Sequence, residues 1–188
     1  MTNLKQKLRQ KYRAVRDSFG EEFIKKASKA ACKNLINTKE FSDADTVLLY
    51  YPINNELSPL KILEIAIQSG KTVAFPVCQK EDRTLIFRKV TSLSQLRVAS
   101  FGIFEPSEEC SIVTPNERTL CIVPALALGR SGERLGYGGG YYDKFLATFG
   151  GTSAGFIYSE LAGIDLPQEN FDVSLNMIIT DREVHNFA

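Results

Sequence analysis

Leu4, Leu8 and Val15 recur near helical spacing while Lys and Arg fill most positions between them, so the pattern predicts an amphipathic helix from about Asn3 to Asp17. Its basic face is unusually full. Ser18 followed three residues later by Glu21 is a capping-box pattern, and Phe23, Ala27, Ala30, Ala31 and Leu35 carry a second helix beyond a turn at Phe19-Gly20. TVLLYYP, Thr46 to Pro52, is a short β-rich apolar run stopped by proline, the pattern of a strand buried on both faces. Ser58-Pro59 supplies a cap and a first-turn proline for a helix running through Ile67 and closed by Gly70, and TVAFP, Thr72 to Pro76, is the next strand. Strand, helix, strand in this order calls for a parallel pair with a right-handed crossover.

TLIFRKV, from Thr84, reads as a further strand, antiparallel and nearer an edge because charges begin within the run. Residues 91–118 are less regular. TLCIVPALAL, from Thr119, resumes the buried-strand pattern, GRSGERLGYGGG breaks it, and YYDKFLATF gives a helix from Tyr141 to Phe149. SAGFIYS near Ser153 and NMIIT near Asn176 are the last strands. The whole is expected to be an α/β protein, a three-layer α/β/α sandwich with a mainly parallel sheet, in a single domain over residues 1–188.

The balance of 23 basic against 22 acidic residues leaves no global field for nucleic acid or membrane, so any basic site must be local. Cys32, Cys78, Cys110 and Cys121 are widely separated and His185 is the only histidine, which argues against zinc or a thiol redox pair and for reduced thiols. The N-terminus lacks the apolar core of a signal peptide and no stretch is long enough to span a membrane, so a cytoplasmic protein is expected.

Gly129 to Asp143 joins a strand to a helix N-terminus, the place where open α/β sheets bind anions. Gly136, Gly138, Gly139 and Gly140 permit backbone angles that turn successive amides toward one phosphate, and Arg134 adds a charge. The spacing is neither a P-loop nor GxGxxG, because no Lys-Ser/Thr follows and Tyr141 stands in place of the last glycine. The alternative is a glycine-rich turn that only joins strand to helix.

VPALALGRSGERLGYGGGYYDKFL resembles the signature of the 5-formyltetrahydrofolate cyclo-ligases, with weaker matches at Lys5 to Arg9, at NEL (Asn55 to Leu57) and at FGIFEP (Phe101 to Pro106). The departures are Gly129 for a usual Asp, Ala125 for Gly and Lys144 for Arg. The resemblance implies an ATP- and magnesium-dependent enzyme that converts 5-formyltetrahydrofolate into 5,10-methenyltetrahydrofolate. It implies ATP between Lys5, Gln6, Lys7, Leu8 and Arg9 on one side and Arg134, Leu135, Gly136, Tyr137, Gly138, Gly139, Gly140, Tyr141 and Tyr142 on the other. Lys5, Arg9 and Arg134 would stabilise the transferred phosphoryl group. Magnesium would sit on Asp143, with Asp172 as a second ligand placed across a one-residue gap. Folate would meet Tyr51, Glu56, Tyr137, Gly138, Gly139, Gly140 and Tyr141.

Each assignment has a plain alternative on sequence alone. Lys5 and Arg9, four residues apart, share a helix face that could simply be solvated. Asp143 could serve only the helix dipole, Glu56 could be a surface glutamate, and the tyrosines could plug the core. A noncatalytic nucleotide- or folate-binding module, or a sugar-phosphate isomerase or CoA-transferase of related architecture, are the rival functions. A monomer or weak homodimer with small-molecule substrates, and no nucleic-acid or membrane partner, is expected.

Overall fold

The computed structural model describes residues 3–99, 102–167, 169 and 172–187; Phe101, the first residue of FGIFEP, lies outside them. The chain opens with α1 (Asn3–Asp17), α2 (Glu21–Ile36) and a short α3 (Lys39–Asp43). The core βαβ unit follows as β1 (Thr46–Leu48), α4 (Leu60–Gln68) and β2 (Thr72–Gln79), then β3 (Thr84–Lys89). A small hairpin of β4 (Leu96–Val98) and β5 (Phe104–Pro106) precedes the edge strand β6 (Ile112–Val113) and the central strand β7 (Thr119–Val123). A second hairpin, β8 (Ala127–Leu128) with β9 (Arg134–Leu135), leads to α5 (Tyr141–Leu146), and β10 (Thr152–Phe156), β11 (Met177–Ile179) and β12 (Val184–Asn186) finish the chain.

The eight-stranded sheet runs β12-β11-β10-β7-β1-β2-β3-β6. β11, β10, β7, β1 and β2 pair in parallel, while β12 and the β3–β6 pair close the edges antiparallel. β7 is buried at every residue, as a central parallel strand with both faces covered must be. Helices flank this mixed sheet, in agreement with the predicted sandwich. From β1 the chain moves outward to β2, whereas from β7 it moves the other way to β10. The order therefore reverses between β1 and β7, and the crevice beyond their carboxyl ends is where such sheets bind ligands.

Several local expectations are corrected. Gly20, not Ser18, caps α2, and the Ser18 hydroxyl instead donates to the Val15 carbonyl at 2.6 Å. Pro59 rather than Ser58 occupies the cap of α4, and the Ser58 N–H donates to the Ser28 hydroxyl at 3.0 Å. α5 stops at Leu146, three residues short of Phe149, where Phe145 and Phe149 turn inward onto each other with ring centroids 4.9 Å apart. α3 and β12 carry no strong pattern in the sequence: α3 is a single turn started by the Thr38 hydroxyl on the Phe41 N–H, and β12 is a mostly exposed edge. The apolar stripe predicted for α1 is also rearranged. Leu4 is exposed, while Lys5, Tyr12 and Arg16 are buried.

Candidate active site

That rearrangement builds one wall of the site. Residues 5, 9, 12 and 16 are spaced 4, 3 and 4 apart, so they form a single stripe along α1, and the stripe faces loops rich in carboxylates and carbonyls. Lys5 Nζ donates to Glu169 Oε2 at 2.8 Å and to Asp172 Oδ2 at 2.5 Å. Burial pulls the Lys5 ammonium down, but these two carboxylates outweigh it and the net shift is upward. One turn on, Arg9 Nε donates to the Gly136 carbonyl at 2.8 Å. Arg16 Nη1 donates to the Tyr137 hydroxyl at 2.5 Å and lies 3.6 Å from Glu56 Oε1.

Beyond the ends of β1, β2 and β7 lies a cavity of about 450 Å³. Its two ends differ chemically. One end is the glycine loop. Gly138 and Gly140 hold φ at 95° and 77°, left-handed values that explain why residues without Cβ stand there, and Gly140 starts α5. Arg134, nearly buried, donates Nη2 to Asp143 Oδ1 at 2.7 Å and Nη1 to the Pro124 carbonyl at 3.2 Å, while its guanidinium carbon lies 5.7 Å from the Tyr142 ring centre. A Cβ on Gly136 would lie 2.5 Å from Arg134 Nη1, so that glycine makes room for the guanidinium.

The other end is apolar with carboxylates set into it. Tyr51 packs on Phe104 with ring centroids 4.6 Å apart, beside Leu85 and Cys78. Glu56 is held by a tight turn in which Asn54 and Asn55 take left-handed φ values of 46° and 60°, tolerated by asparagine. The turn is closed by Ile53 N–H to Glu56 Oε2 at 2.9 Å and by Tyr158 Oη to the Asn55 carbonyl at 2.8 Å. The Tyr137 hydroxyl donates to Glu56 Oε1. Burial pushes the Glu56 carboxyl above its usual range, against the opposing pull of the Tyr137 hydroxyl, the Ile53 N–H and the Arg16 charge. Glu105, also buried, accepts the Cys78 N–H at 3.1 Å, and burial together with Glu105 pushes the Cys78 thiol up to about 12.

Of the residues predicted from the sequence, Tyr51, Glu56, Arg134, Tyr137, Gly138, Gly139, Gly140, Tyr141, Tyr142 and Asp143 meet in this cavity. Gln6 and Lys7 point to solvent, Leu8 packs on the core, and Leu135 is a core residue of β9. Lys5 and Arg9 face inward but contact the surrounding loops rather than the cavity. Asp143 and Asp172 pair with different cations, Arg134 and Lys5, and only Asp143 lines the cavity. Among the described residues, no three His, Cys, Asp or Glu side chains are grouped to hold a metal. Arg13, Arg16 and Glu105 were not singled out from the sequence. For Arg16 a signal existed, since it stands eleven residues from Lys5 and seven from Arg9 on the same face.

The departures from the family signature have local accounts. A side chain on Gly129 would meet the Glu133 carboxylate, which bends back there to accept the Ser131 N–H at 2.9 Å. Ala125 is buried, and Lys144 is an exposed residue whose ammonium ties α5 to the Asp82 carbonyl at 2.7 Å.

A family model described as the 5-formyltetrahydrofolate cyclo-ligase family matches residues 1–181. A 5-formyltetrahydrofolate cyclo-ligase of Haemophilus influenzae is 27% identical over 179 residues, covering 93% of this chain and 96% of that protein. One from Escherichia coli is 29% identical over 146 residues, 75% and 80% of the two chains. The NMR structure of an Aquifex aeolicus 5,10-methenyltetrahydrofolate synthetase superposes with a TM-score of 0.86 at 30% identity, covering 98% of this chain and 93% of that one. A Mycoplasma pneumoniae 5,10-methenyltetrahydrofolate synthetase shares the fold, with a TM-score of 0.76 at 23% identity over 94% and 98% of the chains.

Proposed function

This chain belongs to the 5-formyltetrahydrofolate cyclo-ligase family and is an enzyme of that class, and we propose that it uses ATP to cyclise 5-formyltetrahydrofolate to 5,10-methenyltetrahydrofolate, releasing ADP and phosphate. The observation that carries the reading is the two-ended cavity. A charged glycine loop suited to phosphates faces an aromatic, carboxylate-bearing end suited to a flat ring with N–H donors.

A formyl amide does not expel its oxygen unaided. In the proposed course the formyl oxygen attacks the γ-phosphorus of ATP and the bond to ADP breaks. Nitrogen 10 then attacks the activated carbon, gives up its proton, and the carbon–oxygen bond breaks to release phosphate. Arg134 and the amides at Gly138 to Gly140 would neutralise the moving phosphoryl group, and Glu56 with Tyr51 would hold the folate ring in line. Lys5 and Arg9 would join them only after exchanging Glu169, Asp172 and the Gly136 carbonyl for phosphate oxygens. Enclosing the site would protect the phosphorylated intermediate from water.

Asp143 suits magnesium, which needs few protein carboxylates when phosphates and waters complete its octahedron. Bound there, magnesium would supply charge neutralisation on phosphate oxygens. The decisive experiment incubates the protein with 5-formyltetrahydrofolate, ATP and magnesium and follows methenyltetrahydrofolate absorbance. Nucleotide or folate binding without turnover would instead identify a noncatalytic module.

A further inference from the structure

A carboxylate offers about four acceptor positions, and two on Glu56 are taken, one by the Tyr137 hydroxyl on Oε1 and one by the Ile53 N–H on Oε2. One position on each oxygen is left to the cavity, a pair matched to two adjacent N–H donors. Glu56 offers that pair only while ionised, since protonation turns one oxygen into a donor. Burial opposes ionisation. The groups facing Glu56 are Tyr50 after β1, Tyr137 from the glycine loop, Tyr142 from α5, Tyr158 after β10 and Arg16 from α1. Burial holds all four phenols up, so they stay neutral, and Arg16 is the cation of the group.

Arg16 is itself 1% exposed, and its Nε and Nη2 find no hydrogen-bond partner among the described residues. Its charge is answered by Glu56, 3.6 Å away, with the Tyr137 hydroxyl bridging the two. Uncompensated, a buried guanidinium is costly, so each charge holds the other in place. We propose that Arg16 is a positioning residue that, acting through Tyr137, keeps Glu56 ionised and aimed into the cavity, so that the site selects a ligand edge bearing two N–H donors. The proposal rests on the reading of Glu56 as a folate-binding carboxylate.

The pH sign follows from the upward shift of Glu56. Its folded carboxyl lies above the usual 4.5, so it favours the folded state in acid and opposes it as pH rises through the folded value. Removing Arg16 raises that value further and widens the window toward neutrality. The test compares the wild type with Arg16→Met, Arg16→Lys, Tyr137→Phe, Glu56→Gln and the double variant Arg16→Met/Glu56→Gln. Melting temperature is recorded from about pH 5 to 8, together with the pH dependence of kcat/KM for 5-formyltetrahydrofolate at saturating ATP.

Arg16→Met should lose stability increasingly as pH rises, and the double variant should lack that trend. The acidic limb of Arg16→Met should move up by about one pH unit, with KM for the folate about tenfold higher at a pH within that limb and KM for ATP unchanged. Arg16→Lys should restore the limb, and Tyr137→Phe should move it in the same direction by at least as much, because it removes both the hydrogen bond on Oε1 and the bridge to Arg16. Stability curves parallel to wild type together with an unmoved limb in Arg16→Met would overturn the proposal. If Arg16→Met alone fails to fold, Arg16→Gln decides: movement of its limb upward supports the proposal and no movement overturns it, whereas Tyr137→Phe, which loses its own hydrogen bond to Glu56, tests only the bridge. An unaltered folate KM in Glu56→Gln would overturn the folate reading of Glu56, while the stability curves still judge whether Arg16 holds its charge.

Discussion

Asp143 is the residue at which a structural and a functional role predict different numbers. It stands in the first turn of α5 and pairs with Arg134 at 2.7 Å. Asp143→Asn keeps the shape and an acceptor for Arg134 but takes away the counter-charge of a nearly buried guanidinium, so the stability loss should be about 2–3 kcal/mol. If Asp143 also orients magnesium, turnover should fall about 100-fold or more and recover in part at high magnesium. Calorimetry beside a magnesium titration of activity checks both, and near-normal turnover at limiting magnesium would leave phosphate neutralisation to the basic residues alone. Lys5 gives a second test. Its raised pKa means that its ion pairs stabilise the fold below the usual 10.5 and are lost only as pH climbs through the higher folded value. Lys5→Met should therefore be less stable than wild type throughout the neutral range, with the gap narrowing only in strong alkali, as pH-dependent melting would reveal.

Among the elements, the glycine loop was legible because its motif is local, and its separate glycines now have separable jobs. Nothing lies within 4 Å of a Cβ placed on Gly140, but its φ is 77°. Gly140→Ala should therefore cost about 1–2 kcal/mol of stability from backbone strain alone. Gly136 lacks a positive φ, and its added methyl would instead displace the Arg134 guanidinium. Gly136→Ala should lower melting through the loss of the Arg134 contacts to Asp143 and the Pro124 carbonyl and, unlike Gly140→Ala, raise the ATP requirement sharply. Equal effects of the two variants on both readouts would contradict this division. α1 shows what a local pattern hides. Its length and basic character follow from the sequence, but the direction of its basic stripe depends on Glu169, Asp172, Gly136 and Tyr137, which are more than a hundred residues away. Spacing alone places Arg16 on the face of Lys5 and Arg9, but only those distant partners turn that face inward.

Over the whole molecule, apolar runs such as TLCIV and TVAF exposed the parallel sheet, and the strand reversal between β1 and β7 placed the site where the glycine motif had already pointed. Short elements that rest on tertiary contacts, α3 and β12 among them, left no such trace. The four cysteines turn this packing into a measurable property. None is in a disulfide; Cys32, Cys110 and Cys121 are buried, and Cys78 lines the cavity. Burial pushes the Cys32 thiol up to about 11 and Cys78 up to about 12, and it raises Cys121 further still. Because the thiolate is the reactive form, the native protein should react slowly with a disulfide reagent at pH 8, whereas the unfolded chain should release all four thiols rapidly. Cys78 is the exception by position, since the cavity gives a reagent access that the core denies, so it should be labelled first. Peptide mapping of the first modified site, with and without the folate substrate, tests this. Initial labelling at Cys32 or Cys121, or labelling of Cys78 that saturating folate does not slow, would contradict the placement of the ring-binding end.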